Sequence, residues 1–425
     1  GCETAAVREA AAVSALALTL GLTLRRPLLP TGLRVGPGIA AVIGVAVALA
    51  VGGIDADDIG EAAETLWRPF TALIGLMVIT GVAGRLGLMD RLAALVVPRA
   101  AGSATRLFGL VFVLSAATAA VLNNDAAILL LTPVVVLLVR GLYPDRPVLL
   151  VPFAFAVFMA AGVAPFVTSN PMNTVVAGVA DIDFNEYAAR MVPVALAGWA
   201  VTYVVLRLVF ARELREAPPV PPAVPAKRWE RPQKQALALV LVVLAAYPVF
   251  ALAGVEVFLV AAGGGVIALA LSARHRTGNP LEVLRTNVAW EILVFLLGMF
   301  LLAEALRNAG IVDRLTDLYE EGGQGTIGVA SAIGSALINN HSMALTNLLA
   351  VEDLASPSDA DYLFALVGGD LGPRLLPIGS LAGLLWIAVL RGLGVEVTLK
   401  RFVAVGAAVT VPSLAVSLGV LALLT

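Results

Sequence analysis

Long apolar runs alternate with short polar segments along the whole chain. A helix needs roughly 20 apolar residues to cross a bilayer, and the runs approach or reach that length. They predict single membrane helices at 9–24, 37–53, 69–87, 191–210, 236–250, 255–272, 288–307 and 402–424. Four further stretches contain polar or helix-breaking residues midway. These predict two helical hairpins, 107–140 and 325–350, and two broken helices, 147–178 and 362–391.

The order of these runs occurs twice. WRPFTALIGLMVITGVAGRLGLMDRL (67–92) aligns with WEILVFLLGMFLLAEALRNAGIVDRL (290–315), and each is followed by a hairpin with an Asn-Asn pair. The pattern predicts a first repeat at 1–210, a proline-rich linker at 211–235 and a second repeat at 236–425. If each hairpin is re-entrant, each repeat crosses the membrane five times, and an odd number of crossings makes the repeats inverted. We therefore expect an all-α polytopic membrane protein.

Composition supports a membrane protein. Hydrophobic residues make up 60% of the 425 positions and charged residues only 14%, with a mean hydropathy of +0.94; soluble domains carry about 25% charged residues. The single cysteine, Cys2, excludes an internal disulfide and a thiolate metal cage. Only His275 and His341 exist, so no histidine cluster holds a resident metal, and no phosphate loop for ATP is present. The run Gly263-Gly264-Gly265 indicates close helix packing.

The charges predict the orientation. Most arginines and lysines, including the cluster from Arg207 to Lys234, fall in loops on one predicted side, whereas aspartates and glutamates dominate the other. By the positive-inside rule the basic side is cytoplasmic, which places both termini outside a bacterial or archaeal inner membrane. The linker then lies in the cytoplasm as an extended spacer. Nothing in the composition indicates nucleic acid as a partner.

Polar residues at membrane depth fall into four clusters. These are Asn123-Asn124-Asp125, Thr168 to Asn173, Asn339-Asn340-His341-Ser342, and Gly368 to Ser380. Pro171 and the Gly-Pro pairs should break their helices, and broken helices at the repeat interface are where secondary transporters bind cargo. The matching Asn-Asn pairs indicate one site built from both repeats. Asn173, Ser342 and Ser380, each taken alone, could equally bond to a neighbouring helix.

Three titratable residues are candidates for proton coupling. Asp125 lies in an apolar hairpin with no basic residue nearby in sequence, which favours a functional role over a structural ion pair. His341 takes the place of Asp125 in the second repeat and is either a packing residue or a proton carrier. Asp370 is followed one turn later by Arg374, so a local salt bridge is as good an interpretation as a transport role.

Five motifs of this chain carry a family resemblance. They are VLNNDAAILLLTPVV, TSNPMNTVVAG, EYAARMVPV, LINNHSMALTNLL and GGDLGPRLLPIGSLAGLLW. These motifs resemble the ArsB-type arsenite/antimonite efflux permeases of the ion transporter superfamily. The resemblance runs nearly end to end. It implies two inverted repeats divided into scaffold and transport domains, and proton-coupled export of trivalent arsenic and antimony, in some members alongside a cytosolic ATPase subunit.

Given that cargo, the polar clusters take definite roles. Arsenite is largely an uncharged trihydroxide, so a proton gradient rather than the membrane potential must drive export, with no other cofactor. Amides and a hydroxyl would bind the cargo, and one carboxylate would couple the proton; Asp125 is the first choice, and His341 and Asp370 are the alternates. The cargo-binding candidates are Asn123, Asn124, Asn170, Asn173, Asn339, Asn340 and Ser380.

Two other functions remain open at the level of sequence. A sodium/proton antiporter or sodium-coupled anion carrier would keep the same fold and use the amide and hydroxyl oxygens for sodium. An intramembrane enzyme would use Asp125 and Asp370 as an acid pair. The oligomeric state is also open.

Overall fold

The structure, a computed structural model, describes residues 2–25, 27, 35–220, 228–253 and 255–425. All regular secondary structure in this part of the chain is helical, which confirms the predicted all-α class. The first half contains α1 (Cys2–Arg25), α2 (Pro37–Ala50), α3 (Ala56–Arg85), α4 (Leu88–Ala94), α5 (Val96–Arg99), α6 (Ala104–Val121), α7 (Asn124–Leu142), α8 (Leu150–Ala160), α9 (Pro171–Val179), α10 (Phe184–Val209) and α11 (Ala211–Arg215). The second half contains α12 (Arg231–Ala251), α13 (Val257–Arg274), α14 (Pro280–Asn287), α15 (Trp290–Asn308), α16 (Ile311–Ile338), α17 (Asn340–Glu352), α18 (Asp359–Leu371), α19 (Leu381–Gly392) and α20 (Leu399–Ala422).

Each predicted apolar run corresponds to one of these helices or to a pair of them. Five described helices, namely α3, α6, α10, α12 and α20, are long and apolar enough to cross a membrane, and the bent pair α14 and α15 adds a sixth candidate. The hairpin at 107–140 corresponds to α6 and α7, and the broken helix at 147–178 to α8 and α9. In the second half, α16 with α17 and α18 with α19 occupy the equivalent places.

The structure adds helices where the hydropathy pattern indicated loops. The short helices α4, α5 and α14 are too polar or too short to produce an apolar run. Within the linker predicted at 211–235, α11 occupies the start and α12 begins at Arg231, while residues 221–227 lie outside the described residues. Helix α16 starts well before the predicted hairpin and breaks at Gly323, whose φ of 66° suits glycine. The hairpin arm proper follows this break.

Side-chain caps explain where several helices begin. The Asp55 carboxylate accepts hydrogen bonds from the backbone N–H groups of Asp57 and Asp58, and the Asp58 carboxylate accepts one from Asp55 N. The Asp183 carboxylate caps α10 by accepting from the backbone N–H groups of Asn185 and Glu186. These caps satisfy N–H groups that a helix terminus leaves free. They fix the acid-rich loops next to α3 and α10.

Helices of the two halves pack against each other in pairs, α3 with α13, α2 with α15, and α10 with α20. The α3–α13 contact is close: a Cβ on Gly75 would lie 2.3 Å from the Ala261 carbonyl oxygen, and Gly265 faces Gly75. The predicted packing role of the glycine run is thus confirmed for Gly264 and Gly265, whereas Gly263 faces open space. Small residues allow this approach of backbones, as expected for membrane helices.

An aromatic cluster joins the two halves beside the broken helices. Phe158 of α8 stacks on Trp386 of α19 at 4.8 Å between ring centroids, and Phe155 meets the same indole edge-on at 5.3 Å. Phe402 of α20 packs against Phe158 at 5.5 Å. Such aromatic pairs add packing energy beyond their buried area. The cluster holds α8 and α19, one arm of each broken helix, in a fixed relation.

Candidate functional site

The two Asn-Asn pairs lie where the hairpins turn. Helix α7 begins at Asn124 and α17 begins at Asn340, so each pair occupies the same place in its hairpin. All four side chains are buried, with exposures between 4% for Asn123 and 8% for Asn124. Amides enclosed in protein, rather than facing lipid, are the arrangement expected of a polar site at membrane depth.

Each hairpin tip is attached to the broken helix of its own half. Asn124 donates from Nδ2 to the Gly162 carbonyl at 3.1 Å. Asn339 donates from Nδ2 to the Ile378 carbonyl at 3.3 Å. In addition, α7 contacts α19 and α17 contacts α9, so each hairpin also touches the broken helix of the other half. The hairpins and the broken helices therefore form one connected polar region.

Asn339 has a strained backbone. Its φ of 80° and ψ of 144° lie in a region that side chains other than glycine rarely enter, at a cost of about 1–3 kcal/mol. The side chain compensates locally, since Oδ1 accepts from His341 N at 3.1 Å while Nδ2 bonds to Ile378. Backbone strain of this kind concentrates at binding sites, which supports Asn339 as a site residue.

Asn170 and Ser380 occupy equivalent positions in the two broken helices. Each follows a 3₁₀ turn and caps the next helix: Asn170 Oδ1 accepts from Met172 N at 3.2 Å, and Ser380 Oγ accepts from Gly383 N at 2.9 Å. The N-termini of α9 and α19 thus lie buried within the protein, where their partial positive charge favours electron-rich ligand atoms.

Asp370 connects the two halves. Its Oδ1 accepts from Asn170 Nδ2 at 2.5 Å, and its Oδ2 accepts from Asn173 Nδ2 at 3.1 Å and from the backbone N–H of Ala164 at 2.9 Å. The residue is 7% exposed. Three donors directed at one buried carboxyl group fit the ionised form, which only accepts hydrogen bonds. Through Asp370, the second broken helix is therefore bonded to Ala164, Asn170 and Asn173 of the first.

Side chains also support the unwound segment between α8 and α9. Non-helical backbone at membrane depth must find partners within the protein. Five carbonyl groups here accept from side chains: Met159 from Arg374, Ala160 from Trp199, Gly162 from Asn124, Ala164 from Tyr187, and Val167 from Thr174. The break is therefore a defined structure rather than a loose loop.

Arg374 is buried and bonds across to the first half. Its guanidinium donates to the Met159 carbonyl at 2.5 Å and to Thr202 Oγ1 at 3.3 Å, with 2% of the residue exposed. The local salt bridge to Asp370 considered from the sequence is not formed, because the Asp370 oxygens accept from Asn170, Asn173 and Ala164 instead. The two charges still attract each other electrostatically.

Asp125 and His341 lie in the first turns of α7 and α17. Asp125 is partly exposed, and among the described residues no hydrogen bond or ion pair involves its side chain. His341 is buried at 1% exposure and bonds through Nδ1 to the neighbouring asparagines. The Asp370 carboxylate bonds to Ala164, Asn170 and Asn173 and makes no hydrogen bond to Asp125, so these two described residues do not form the acid pair considered from the sequence.

Five buried polar atoms of this region have no hydrogen-bond partner in the described part of the chain. They are Asn173 Oδ1, Ser335 Oγ, His341 Nε2, Ser342 Oγ and Arg374 Nε. Buried polar groups are nearly always paired, so such a group indicates a missing ligand or water. Asn173 Oδ1 is an acceptor and Arg374 Nε is a donor, and the two hydroxyl groups can act as either.

Two cavities open near the C-terminal end of α9. One of about 320 Å³ is lined by Val167 and Thr174 and carries the Arg68–Glu256 ion pair on its wall. The other, of about 170 Å³, is lined by four acidic residues and Arg307 together with Thr65 and apolar side chains. Neither is lined by the asparagines. Thr174 directly follows Asn173, so the larger cavity approaches the site from the acid-rich side of the protein.

Sequence reasoning missed three residues of α10 and the cross-connection of Arg374. Tyr187 accepts a hydrogen bond from Asn173 Nδ2 at 2.6 Å and donates one to the Ala164 carbonyl. Trp199 donates to the Ala160 carbonyl at the end of α8, and Thr202 accepts from Arg374. The sequence shows these residues only as side chains with polar groups that recur along the apolar helix α10. That pattern does not indicate which broken helix they would contact.

Known proteins resemble this chain along almost its whole length. The ArsB family model, described as "Arsenical pump membrane protein", matches residues 11–424. An arsenical pump membrane protein of Escherichia coli is 31% identical over 93% of this chain and 94% of its own length. One of Yersinia enterocolitica is 31% identical over 96% of this chain and 97% of its own.

The fold is also found among solved structures. The crystal structure of the Alcanivorax borkumensis YdaH transporter, described as having an unusual topology, covers 99% of this chain and 98% of its own with a TM-score of 0.60. The sequence identity is 16%, so the similarity concerns the fold alone.

Proposed function

The chain belongs to the ArsB family of arsenical pump membrane proteins, and from this premise we propose that it exports trivalent arsenic and antimony in exchange for protons. It is a multi-pass membrane transporter. The observation that carries the coupling proposal is the Asp370 carboxylate, which holds two candidate cargo ligands, Asn170 and Asn173, by direct hydrogen bonds.

The cargo proposal is a matter of hydrogen-bond chemistry. Neutral arsenite and antimonite have three hydroxyl groups and no charge. Their site therefore needs hydrogen-bond acceptors but no residue of opposite charge. The unpartnered Asn173 Oδ1 is such an acceptor. Since Cys2 is the only cysteine, the metalloid would not be held as a stable thiolate complex, and hydrogen bonds permit the rapid release that transport needs.

Asp370 couples proton and cargo through the orientation of the asparagines. When ionised, it draws the Nδ2 groups of Asn170 and Asn173 toward itself, which leaves Asn173 Oδ1 free for a cargo hydroxyl. A protonated carboxyl group donates as well as accepts. It would favour the opposite amide orientation and release the cargo. Protonation outside then expels cargo, and deprotonation in the cytoplasm restores binding.

The membrane arrangement follows from the same proposal. The cross-half helix pairs α3 with α13 and α2 with α15 are the pairs that a two-fold operation would exchange, which supports two related repeats. An odd number of crossings in each repeat would make them inverted. We place the basic loops in the cytoplasm, both termini outside the inner membrane, and cargo release through the cavity beside Thr174.

Everted membrane vesicles test this function. Antimonite should accumulate inside them when their lumen is acidified, because the lumen corresponds to the cell exterior. Collapse of the pH gradient should stop accumulation. If uptake instead requires a sodium gradient and ignores the pH gradient, the sodium-coupled alternative is correct and proton exchange is refuted.

The structure favours Asp370 over Asp125 as the coupling carboxylate, and this gives a distinct prediction. Asp125→Asn should retain pH-driven antimonite uptake within about threefold, which corresponds to less than about 1 kcal/mol, because its carboxylate makes no bond to a described site residue. Initial rates in everted vesicles, normalised to protein, measure this. Complete loss of uptake in Asp125→Asn would return the coupling role to Asp125.

A further inference from the structure

His341 occupies the turn of the second hairpin, deep in the protein. It lies in the first turn of α17 and is 1% exposed. The ring of Phe295 on α15 meets the imidazole edge-on, with 6.0 Å between centroids. No ion pair of the described residues includes this histidine. Among the described residues, therefore, no ion pair favours the charged imidazolium over the neutral ring.

The hydrogen bonds of its neighbours determine which nitrogen carries the proton. Asn339 has a fixed amide orientation, because its Oδ1 accepts from His341 N while its Nδ2 donates to the Ile378 carbonyl. His341 Nδ1 lies 3.1 Å from that same Oδ1 and 2.8 Å from Asn340 Oδ1. Both are acceptor oxygens, so Nδ1 must be the protonated nitrogen.

Nε2 is consequently a lone-pair acceptor, and it has no partner. A neutral imidazole protonated at Nδ1 offers Nε2 only as an acceptor. In the described part of the chain no donor reaches it, and Ser342 Oγ in the same turn is also without a partner. Buried acceptors rarely stay unpaired in proteins. A donor that is not part of the chain would complete the site.

We propose that His341 binds the transported metalloid directly, by accepting a hydrogen bond from one of its hydroxyl groups at Nε2. This rests on the proposed function and assigns His341 a role in cargo recognition rather than in carrying protons. The lone pair suits a neutral trihydroxide, each of whose three oxygens carries a proton to donate. His341 is thereby a cargo-binding residue that recognises the hydroxyl groups of the neutral trivalent form.

Two substitutions separate recognition from structure. In His341→Asn, the amide can still donate to Asn339 and Asn340, but no group reaches the Nε2 position. In His341→Gln, the amide oxygen can take the place of Nε2. With purified transporter in nanodiscs at one pH and no gradient, His341→Asn should weaken antimonite binding about tenfold, the loss of roughly one hydrogen bond. His341→Gln should stay within about threefold of the unsubstituted protein.

The reverse order, or equal binding by both variants, would overturn the proposal while leaving the proposed function intact. Thermal melting of each variant identifies any that loses binding by unfolding, and the spectroscopic measurement below does not depend on these variants. If the unsubstituted transporter does not bind antimonite, both the proposed cargo and this role of His341 fail.

A single-histidine transporter gives the direct readout. His275 is the only other histidine and bonds to Gln235 away from the site, so His275→Gln leaves His341 as the sole imidazole. Nitrogen-15 NMR of labelled histidine should show a protonated Nδ1 and an unprotonated Nε2, and the Nε2 resonance should move upfield when antimonite is added. A protonated Nε2 before addition, or an Nε2 resonance unchanged at saturating antimonite, would refute the assignment.

Discussion

Asp370→Asn should abolish proton-driven antimonite uptake, with a fall of at least about a hundredfold, because two or more charge-assisted hydrogen bonds of about 1.5–3 kcal/mol each are lost. The new amide has one acceptor oxygen where the carboxylate has two. Its NH₂ group would face another hydrogen-bond donor in either orientation of the amide. The donor would be Asn170 Nδ2 in one orientation, and Asn173 Nδ2 with Ala164 N in the other. The variant also cannot titrate. Initial uptake rates in everted vesicles with an imposed pH gradient measure the loss.

Asp359→Asn is the matched control. Asp359 lies at the start of the same helix, α18, is partly exposed, and pairs with Arg190 at 3.5 Å. The substitution removes the same charge, but an ion pair that stays in contact with solvent contributes only about 0–1 kcal/mol. Uptake should remain near that of the unsubstituted transporter. Pronounced uptake by Asp370→Asn, driven by the pH gradient, would remove Asp370 from the coupling mechanism.

Gly368→Ala and Gly372→Ala should prevent stable folding or strongly lower the melting temperature. A Cβ at Gly368 would lie 2.1 Å from the backbone oxygen of Gly328, and a Cβ at Gly372 would lie 2.2 Å from that of Ala332. Both are rigid backbone atoms of α16, so α18 would have to move away. Overpacking of this kind costs typically 1–3 kcal/mol and sometimes more. Detergent-solubilised yield and thermal melting measure the effect.

The motif contains its own control. Gly369 lies between the two critical glycines, yet a Cβ there would meet only Ser335 Oγ, at an ordinary 3.8 Å. Gly369→Ala should therefore fold normally and gain a little from higher helix propensity. Equal melting temperatures for all three alanine variants would show that α16 and α18 do not pack as closely as described.

Several features were predictable because they depend on nearby residues only. The all-helical fold, the order of the apolar runs and the polar turns at Asn123 and Asn339 follow from hydropathy and from residues that interrupt helices. The caps at Asn170 and Ser380 follow similarly, since Pro171 and Gly379 mark the break and a polar residue at its edge satisfies the next helix.

Other features depended on how distant helices pack. Asp370 and Asn170 are 200 residues apart in the chain, and Arg374 and Met159 are 215 apart. Local sequence made Asp125 the first choice for proton coupling, because no basic residue lies near it in the chain, and it left a bridge between Asp370 and Arg374 as open as a transport role for Asp370. In the folded chain the two broken helices meet, and that contact gives Asp370 its three donors.

The sequence by itself determined where this chain becomes helical, where its helices break and which polar groups lie at the breaks, because hydropathy and helix interruption are properties of short segments. Only the tertiary structure decided which of those polar groups meet. A hydrogen bond extends about 3 Å, so partners are selected by the packing of helices that no local pattern specifies.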